Sequence, residues 1–362
     1  MKWMNKLTLL LVMTVMASLF ACQSPKSIST AKHYVWMGEG KNEDQAELEK
    51  MFIKLKDTGI DGVMYQCSLD KYAAAVELAH KHGLELHAWQ TILRRYDDTL
   101  LAEHADWYTV SRDGRSTAEH PPFVDYYKWL CPTKPQVRQY LTALVEDLAD
   151  VPNIDGVHLD YIRHSDVILA RDLWETYDLV MDKEYAEFDF CYCDDCIARY
   201  KDETGEDAAG FGDAAPDNEK WRQFRYDMVT ETVDALTKAV HAKGVKINAA
   251  VFPTPTISKT LVRQEWDKWN LDAFYPMNYN SFYQENAQWV ETCCTEGVEA
   301  LNGNAPLYSG IYMPALEKIE DFRTVIQGSK RGGAAGVCVF TPYSMTDEHW
   351  TVLKEEIEKW DR

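Results

Sequence analysis

One unit recurs along this chain: a short apolar run, a polar loop, then an amphipathic helical stretch. The apolar runs are Tyr34–Met37, Asp61–Gln66, Leu84–Gln90, Asp155–Tyr161, Val245–Phe252, Leu271–Met277, Pro306–Tyr312 and Ala335–Thr341. Their length suits a buried strand better than a helix. Helical patterns fill the intervals, as at Asp44–Thr58, Ala73–His82, Gln136–Leu148 and Trp221–Ala242. Gly59, Gly83 and Gly244 stand at helix ends, where a left-handed residue turns the chain toward the next strand. Strands separated by helices pair in parallel, because a parallel neighbour needs a long crossover. Eight such units predict an α/β fold closed as a (β/α)8 TIM barrel. The alternative, an open doubly wound sheet, uses a glycine-rich phosphate turn after its first strand. Gly38-Glu39-Gly40 is too short to supply one. Two long insertions break the rhythm, Tyr96–Lys128 after strand three and His164–Lys220 after strand four. Both extend loops on the face where barrels carry their chemistry.

The fourth run holds the clearest functional signal. In Gly156-Val-His-Leu-Asp160-Tyr-Ile-Arg163 the apolar Val157 and Leu159 alternate with His158 and Asp160. A period of two sends the polar pair to one face and delivers a carboxylate to the strand's carboxyl end. The competing reading of Asp160 is a cap for the next helix. Other strand ends add polar and aromatic groups: His87 and Trp89 from strand three, then Arg163 just after strand four. Strand six contributes Tyr275, Asn278 and Tyr279, strand seven Tyr312, and the stretch after strand eight Tyr343, with Asn248 inside strand five. Carboxylate, amide, imidazole and aromatic groups together suit a neutral, hydroxyl-rich ligand better than a phosphate.

The amino end reads as an address rather than as fold. Lys2 and Lys6 precede an apolar run from Leu7 to Phe20, and Leu19-Phe20-Ala21-Cys22 has the form of a lipoprotein processing site. The run is short of the roughly 20 residues that span a bilayer. Residues 1–22 are therefore expected to be a signal peptide with Cys22 lipidated, residues 23–32 a polar tether, and residues 33–362 a single barrel domain. That places the mature chain at the cell envelope, held to the membrane by its lipid. The formal charge of −20 becomes −22 once the two leader lysines are removed. Such a surface disfavours nucleic acid as a partner. The sequence holds no Gly-x-Ser-x-Gly elbow for a serine hydrolase and no signature of an organic cofactor.

Cys191-Tyr-Cys193-Asp-Asp-Cys196 is a dense thiol group, and Cys131 lies upstream before Pro132. Four thiolates can close a structural zinc site. Disulfides are the rival in an exported chain, and free thiols a third reading. Cys67, Cys293, Cys294 and Cys338 look like core residues.

The Cys-x-Cys-x-x-Cys spacing with its upstream Cys-Pro resembles the zinc cluster of the family-42 β-galactosidases, which are barrel glycosidases. The Gly156–Arg163 stretch resembles the glycosyl-hydrolase-like family 10 group more closely. So do Trp221-Arg-Gln-Phe-Arg225 and Gln264-Glu-Trp266 with Asp272-Ala-Phe-Tyr-Pro-Met-Asn-Tyr279. This resemblance spans roughly residues 33–355. It implies a barrel protein of bacterial envelopes that acts on polysaccharide, including stripped peptidoglycan glycan. The catalytic pair of the family-42 enzymes does not carry over, because Leu159-Asp160 and Tyr308-Ser-Gly-Ile-Tyr312 stand where those enzymes have carboxylate residues. Glycoside hydrolysis uses two carboxyls. Asp160 is the expected first. Glu39, just after strand one, is the preferred second, ahead of Glu265, Glu285, Asp347 and Glu348. A barrel that has lost catalysis and only binds glycan is the alternative function.

Overall fold

Alternation along each run settles which face is which. Val35, Val63, Leu86, Val157, Ile247, Phe274, Ile311 and Val339 pack outward into one large apolar cluster with the helices. The residues between them point into the barrel. The computed structural model describes residues 31–40 and 44–360. The leader, Cys22 and the tether up to residue 30 lie outside the described residues. The chain from Ala31 onward forms one compact unit.

Eight strands run in parallel: β1 Tyr34–Gly38, β2 Gly62–Gln66, β3 Glu85–Thr91, β4 Gly156–Asp160, β5 Lys246–Val251, β6 Ala273–Pro276, β7 Tyr308–Tyr312 and β8 Gly336–Phe340. Neighbours follow the order β6-β5-β4-β3-β2-β1-β8-β7. The ends of that sheet meet through single parallel bridges, Phe274 to Leu307 and Met277 to Gly310, which close the barrel. One helix of the outer ring follows each strand: α1 Gln45–Thr58, α2 Tyr72–Lys81, α3 Pro135–Ala149, α4 Glu219–Ala242, α5 Pro255–Val262, α6 Trp289–Leu301, α7 Ile319–Arg331 and α8 Asp347–Trp360. Asp44 begins α1 by accepting the amides of Ala46 and Glu47, and Gly59 ends it in the left-handed region at φ 98°. The expected strands and helices fall within two residues of these bounds. Among the described residues no helix is long and apolar enough to cross a membrane.

Glycine makes the barrel interior possible at two points. A Cβ on Gly156 would sit 2.2 Å from Nδ1 of His87, so β4 must lack a side chain there for that ring to fit. A Cβ on Gly310 would meet the Pro276 carbonyl at 2.6 Å and the Trp36 ring at 3.0 Å, just where β6 and β7 close.

The insertions follow β3 and β4 as expected, and both rise from the carboxyl ends of the strands. The first includes the short helix Asp98–Glu103. The second includes Leu173–Thr176 and Asp194–Thr204. Gln264 pins the base of the second: its side chain accepts from the Phe252 amide at 2.9 Å and donates to the Ile162 carbonyl at 3.1 Å. Part of the Gln264-Glu-Trp266 motif is thereby explained as the tie between the loops after β4 and β5.

Candidate active site

The inward residues divide into two polar levels. The lower level is sealed. Trp36 donates its indole N–H to His158 Nε2 at 2.8 Å, and His158 Nδ1 meets Asn248 Oδ1 at 2.5 Å. Asn248 Nδ2 donates to His87 Nδ1 at 2.9 Å, and His87 Nε2 meets Glu85 Oε2 at 3.3 Å. One tautomer set satisfies every link, with His158 carrying its proton on Nδ1 and His87 on Nε2. Burial pushes His158 down to about 3, so the ring is neutral at ordinary pH. Its hydrogen bond to His87 and its pairing with Lys32 hold Glu85 well below the usual carboxylate range. Tyr275 packs against Tyr34, Trp36, His158 and Tyr308 in this level. His87 and His158 were expected to touch ligand. The structure places both within the barrel core, and neither lines the cleft above.

The upper level opens into a cleft of about 450 Å³. Asp160 lines it, with Trp36, Trp89, Thr91, Gln66, Arg94 and Arg163 around the barrel mouth. Twelve of the 24 lining residues are aromatic, among them Tyr126, Tyr127, Tyr161, Tyr279, Phe282, Tyr312 and Phe340. Rings of this kind present flat apolar faces beside polar tips, which suits stacking against a sugar. Tyr312 stacks on Phe340 at 5.9 Å and leans on Tyr279 at 5.1 Å. Trp89, Arg163, Tyr279 and Tyr312 therefore stand where they were expected, on the cleft wall.

Asp160 caps no helix, since the next helical turn begins only at Leu173. Its Oδ2 accepts the Trp89 indole at 3.0 Å and its Oδ1 accepts the Tyr161 amide at 2.7 Å. Tyr161 adopts φ 51°, a left-handed conformation rare for a bulky residue, directly after the strand end that carries Asp160. Burial raises the Asp160 carboxyl above the usual range, and the two N–H donors with nearby Arg163 and Arg94 offset part of that rise. A buried carboxyl whose protonated form is favoured in this way is suited to giving a proton.

Around Asp160 lie groups that the expected set did not include. Arg94 holds its guanidinium 4.0 Å from the Tyr161 ring centre and 5.6 Å from that of Tyr126. Asp166 lines the cleft and accepts from Arg163 Nη1 at 3.0 Å and from the Tyr127 hydroxyl. Asp166 sits three residues past Arg163, within reach of an extended reading of the strand-four motif. Tyr127 comes from the strand-three insertion and Arg94 from the short turn between β3 and that insertion, and neither left such a signal.

Three expected residues lie elsewhere. Asn278 turns away from the cleft, donating to Ser309 Oγ at 3.0 Å and to the Cys294 sulfur at 3.3 Å, because it falls on the helix-facing side of the chain. Tyr343 is half exposed at the rim, its hydroxyl 3.4 Å from the Gly38 carbonyl, and is not part of the cleft wall. Glu39 pairs with Lys71 and is likewise absent from the wall. β1 ends at Gly38, and the chain carries Glu39 outward toward the turn that begins α2. The other acids fare no better as cleft groups. Glu265 binds Gln223 at 2.9 Å and Lys259 at 3.8 Å, and neither it nor Glu285, Asp347 or Glu348 lines the cleft.

A second assembly joins Cys131, just before α3, to the strand-four insertion. Cys131, Cys191, Cys193 and Cys196 are buried, with all four sulfurs within 4.8 Å of one another. The Cys131–Cys196, Cys193–Cys196 and Cys131–Cys193 separations are 3.5, 3.6 and 3.7 Å. A disulfide needs about 2.05 Å, so these thiols are not paired. Four sulfurs about 2.3 Å from a central ion would stand roughly 3.8 Å apart. The cluster can hold a metal ion. Arg225 explains the Trp221–Arg225 motif: it donates to Asp189 and, at 3.3 Å, to the Phe190 carbonyl, fixing the cysteine loop onto α4.

A family model described as glycosyl hydrolase-like 10 matches residues 41–299. The curated glycosyl hydrolase YngK of Bacillus subtilis (strain 168) is 23% identical over 245 residues, which covers 65% of this chain and 38% of that protein. The catalytic domain of a β-amylase from Paenibacillus polymyxa is similar in structure with a TM-score of 0.64 at 12% identity, over 91% of this chain and 98% of that one. The PgaB (BpsB) glycoside hydrolase domain from Bordetella bronchiseptica gives 0.62 at 12% identity, over 88% and 95%. A β-galactosidase from the psychrophilic Marinomonas ef1 gives 0.62 at 10%, over 91% and 59%. These three likenesses concern the fold, and all are to glycosidases. The family match covers most of the barrel and the whole strand-four motif: this chain belongs to the glycosyl hydrolase-like 10 family.

Proposed function

We propose that this protein is an envelope-anchored glycoside hydrolase that cleaves a poly- or oligosaccharide, peptidoglycan glycan being one candidate, with Asp160 as its proton donor. The observation that carries the reading is Asp160 itself: a buried carboxyl with a raised pKa, held by two N–H donors at the floor of an aromatic cleft. Family membership supports the reaction class. The Leu19-Phe20-Ala21-Cys22 site supports the anchor. Purified mature protein, offered a panel of glycans and peptidoglycan fragments, should release shorter or reducing products. Asp160→Asn should abolish that release while leaving the fold and much of the binding intact. Cleavage by Asp160→Asn at the parent's rate would remove Asp160 from the mechanism.

The four-cysteine cluster takes, in this reading, a structural zinc ion that braces the strand-four insertion. Four protein ligands leave no open position, so the metal supplies no chemistry to the cleft. Elemental analysis should find about one zinc per chain. Cys193→Ser should lower the melting temperature more than it lowers turnover at a permissive temperature.

A second reading has its own observation. Glu39 is outside the cleft wall, and the carboxylate beside Asp160 is tied to Arg163 and Tyr127. A barrel that binds glycan without cutting it would look the same. Tight saturable binding of a glycan that is never cleaved would decide for it.

A further inference from the structure

We propose, on the hydrolase reading above, that Asp166 is the second catalytic carboxylate, the anionic partner of Asp160. Among the described residues that wall the cleft, the acids are Asp160 and Asp166 alone. Their surroundings differ in the sense that two-carboxyl catalysis requires. Among the described residues Asp160 has no ion-pair partner at contact distance, and burial favours its protonated form. Asp166 receives the Arg163 guanidinium and the Tyr127 hydroxyl on the same oxygen, Oδ2.

The geometry separates this pair from an ordinary buried salt bridge. A structural ion pair in a core uses both carboxylate oxygens, because an unsatisfied one is costly. Asp166 commits only Oδ2. Its Oδ1 makes no hydrogen bond to any described residue and is not among the buried polar atoms left without a partner. That oxygen is open to the cleft. Arg163 is in turn fixed: it donates to the His164 carbonyl at 2.9 Å and lies over the rings of Trp129 and Phe252 at 4.9 and 4.8 Å. The carboxylate is therefore held by groups that do not move with the ligand, as a catalytic charge must be.

The step balances with these two groups and water. Asp160 gives its proton to the bridging oxygen, which takes the electron pair of the breaking bond to the anomeric carbon and leaves as a hydroxyl. Asp166 faces the positive charge that grows on that carbon. Water supplies the oxygen that completes the carbon, and its proton passes to Asp166, from which Asp160 is recharged through solvent.

The test uses the full mature chain on a glycan that the parent cleaves. Asp166→Asn should lower kcat by about 10²-fold or more, with binding of the uncut glycan changed far less. Asp166→Ala should regain about tenfold or more in rate with added azide, and a glycosyl azide should appear among the products. Tyr127→Phe, a milder change, removes one of the two donors that orient Asp166 and should lower kcat by less than Asp166→Asn does, with KM little changed. Undiminished kcat in Asp166→Asn overturns the proposal. So does a loss in Asp166→Ala that azide does not rescue. If the parent binds glycans from the panel and cleaves none, the hydrolase reading falls first and this proposal with it. If the parent cleaves and the Asp166 variants match it, Asp166 falls alone.

Discussion

The two polar levels inside this barrel are built from the same pattern and behave in opposite ways. His87, His158 and Asn248 project inward from β3, β4 and β5, as Trp89 and Asp160 do two residues further along β3 and β4. The lower set closes on itself, each donor finding an acceptor, in a one-way chain from the Trp36 indole to the Glu85 carboxylate. The upper set leaves capacity unspent: Asp160 has no cationic contact partner, Asp166 has a free oxygen, and rings crowd round an open volume. Alternation along a strand sends polar side chains into the barrel at every height. Only height along the strand decides whether they become core or site. A level with protein above and below must satisfy itself, because a buried orphan costs about 1–3 kcal/mol. The top level can leave groups for a ligand to satisfy.

This contrast breaks most visibly at Asp160. Asp160→Asn should cost about 10²–10⁴-fold or more in turnover and only about 1–3 kcal/mol in stability, because the amide keeps the shape but its NH2 meets one of the two N–H donors that the carboxyl accepts. The lower level should answer in the reverse manner. Asn248→Leu leaves His158 Nδ1 and His87 Nδ1 unpartnered, so urea denaturation should show a loss of about 2–4 kcal/mol, with the remaining folded fraction keeping its kcat. If both variants lower turnover equally at matched stability, the two levels are one functional unit and the division fails.

Acid should reveal the lower level in the parent. His158 is pushed down to about 3 in the folded state, and His33 to about 4, both by burial. An unfolded histidine titrates near 6.5, so the unfolded chain binds more protons between those values. Stability from these rings is complete above about pH 6.5 and is lost as pH falls through that window, by about 1–2 kcal/mol per ring near pH 5. Melting temperature measured from pH 7 to pH 4.5 should therefore fall, and His158→Gln should flatten the slope. The smallest effect is expected at Glu39. Its pair with Lys71 is a partly exposed ion pair, worth about 0–1 kcal/mol. Glu39→Gln should leave turnover within about twofold. A collapse there would restore Glu39 as the second carboxylate and displace Asp166.

The barrel itself was legible before any coordinates. Runs such as Val245–Phe252 and Ala335–Thr341 state their burial through composition, and a left-handed glycine such as Gly59 marks where a helix must stop. Asp160 was legible for the same reason, since its height followed from its place at the end of a short run. The four cysteines were legible as a group, and only the sulfur separations removed the disulfide alternative. The polar strand residues were harder to place. His87 and His158 look, in sequence, no different from Trp89 and Asp160. Asn278 follows a strand end on the side that faces the helices, where it meets Ser309 and Cys294. Such errors arise because residue type reports polarity, whereas accessibility belongs to the layer above.

Apart from Arg163, which the strand-four motif named, tertiary structure decided the companions of Asp160. Arg94 stands just before the insertion after β3, Tyr127 comes from that insertion, and Asp166 comes from the one after β4. Neither insertion has a period that fixes the direction of its side chains. Local sequence determines which face of a strand or helix a residue occupies, since that face repeats every two or 3.6 residues. Where a loop side chain ends up depends on contacts between distant segments, such as Arg163 with Tyr127 or Gln264 with Ile162. No short stretch of sequence contains them.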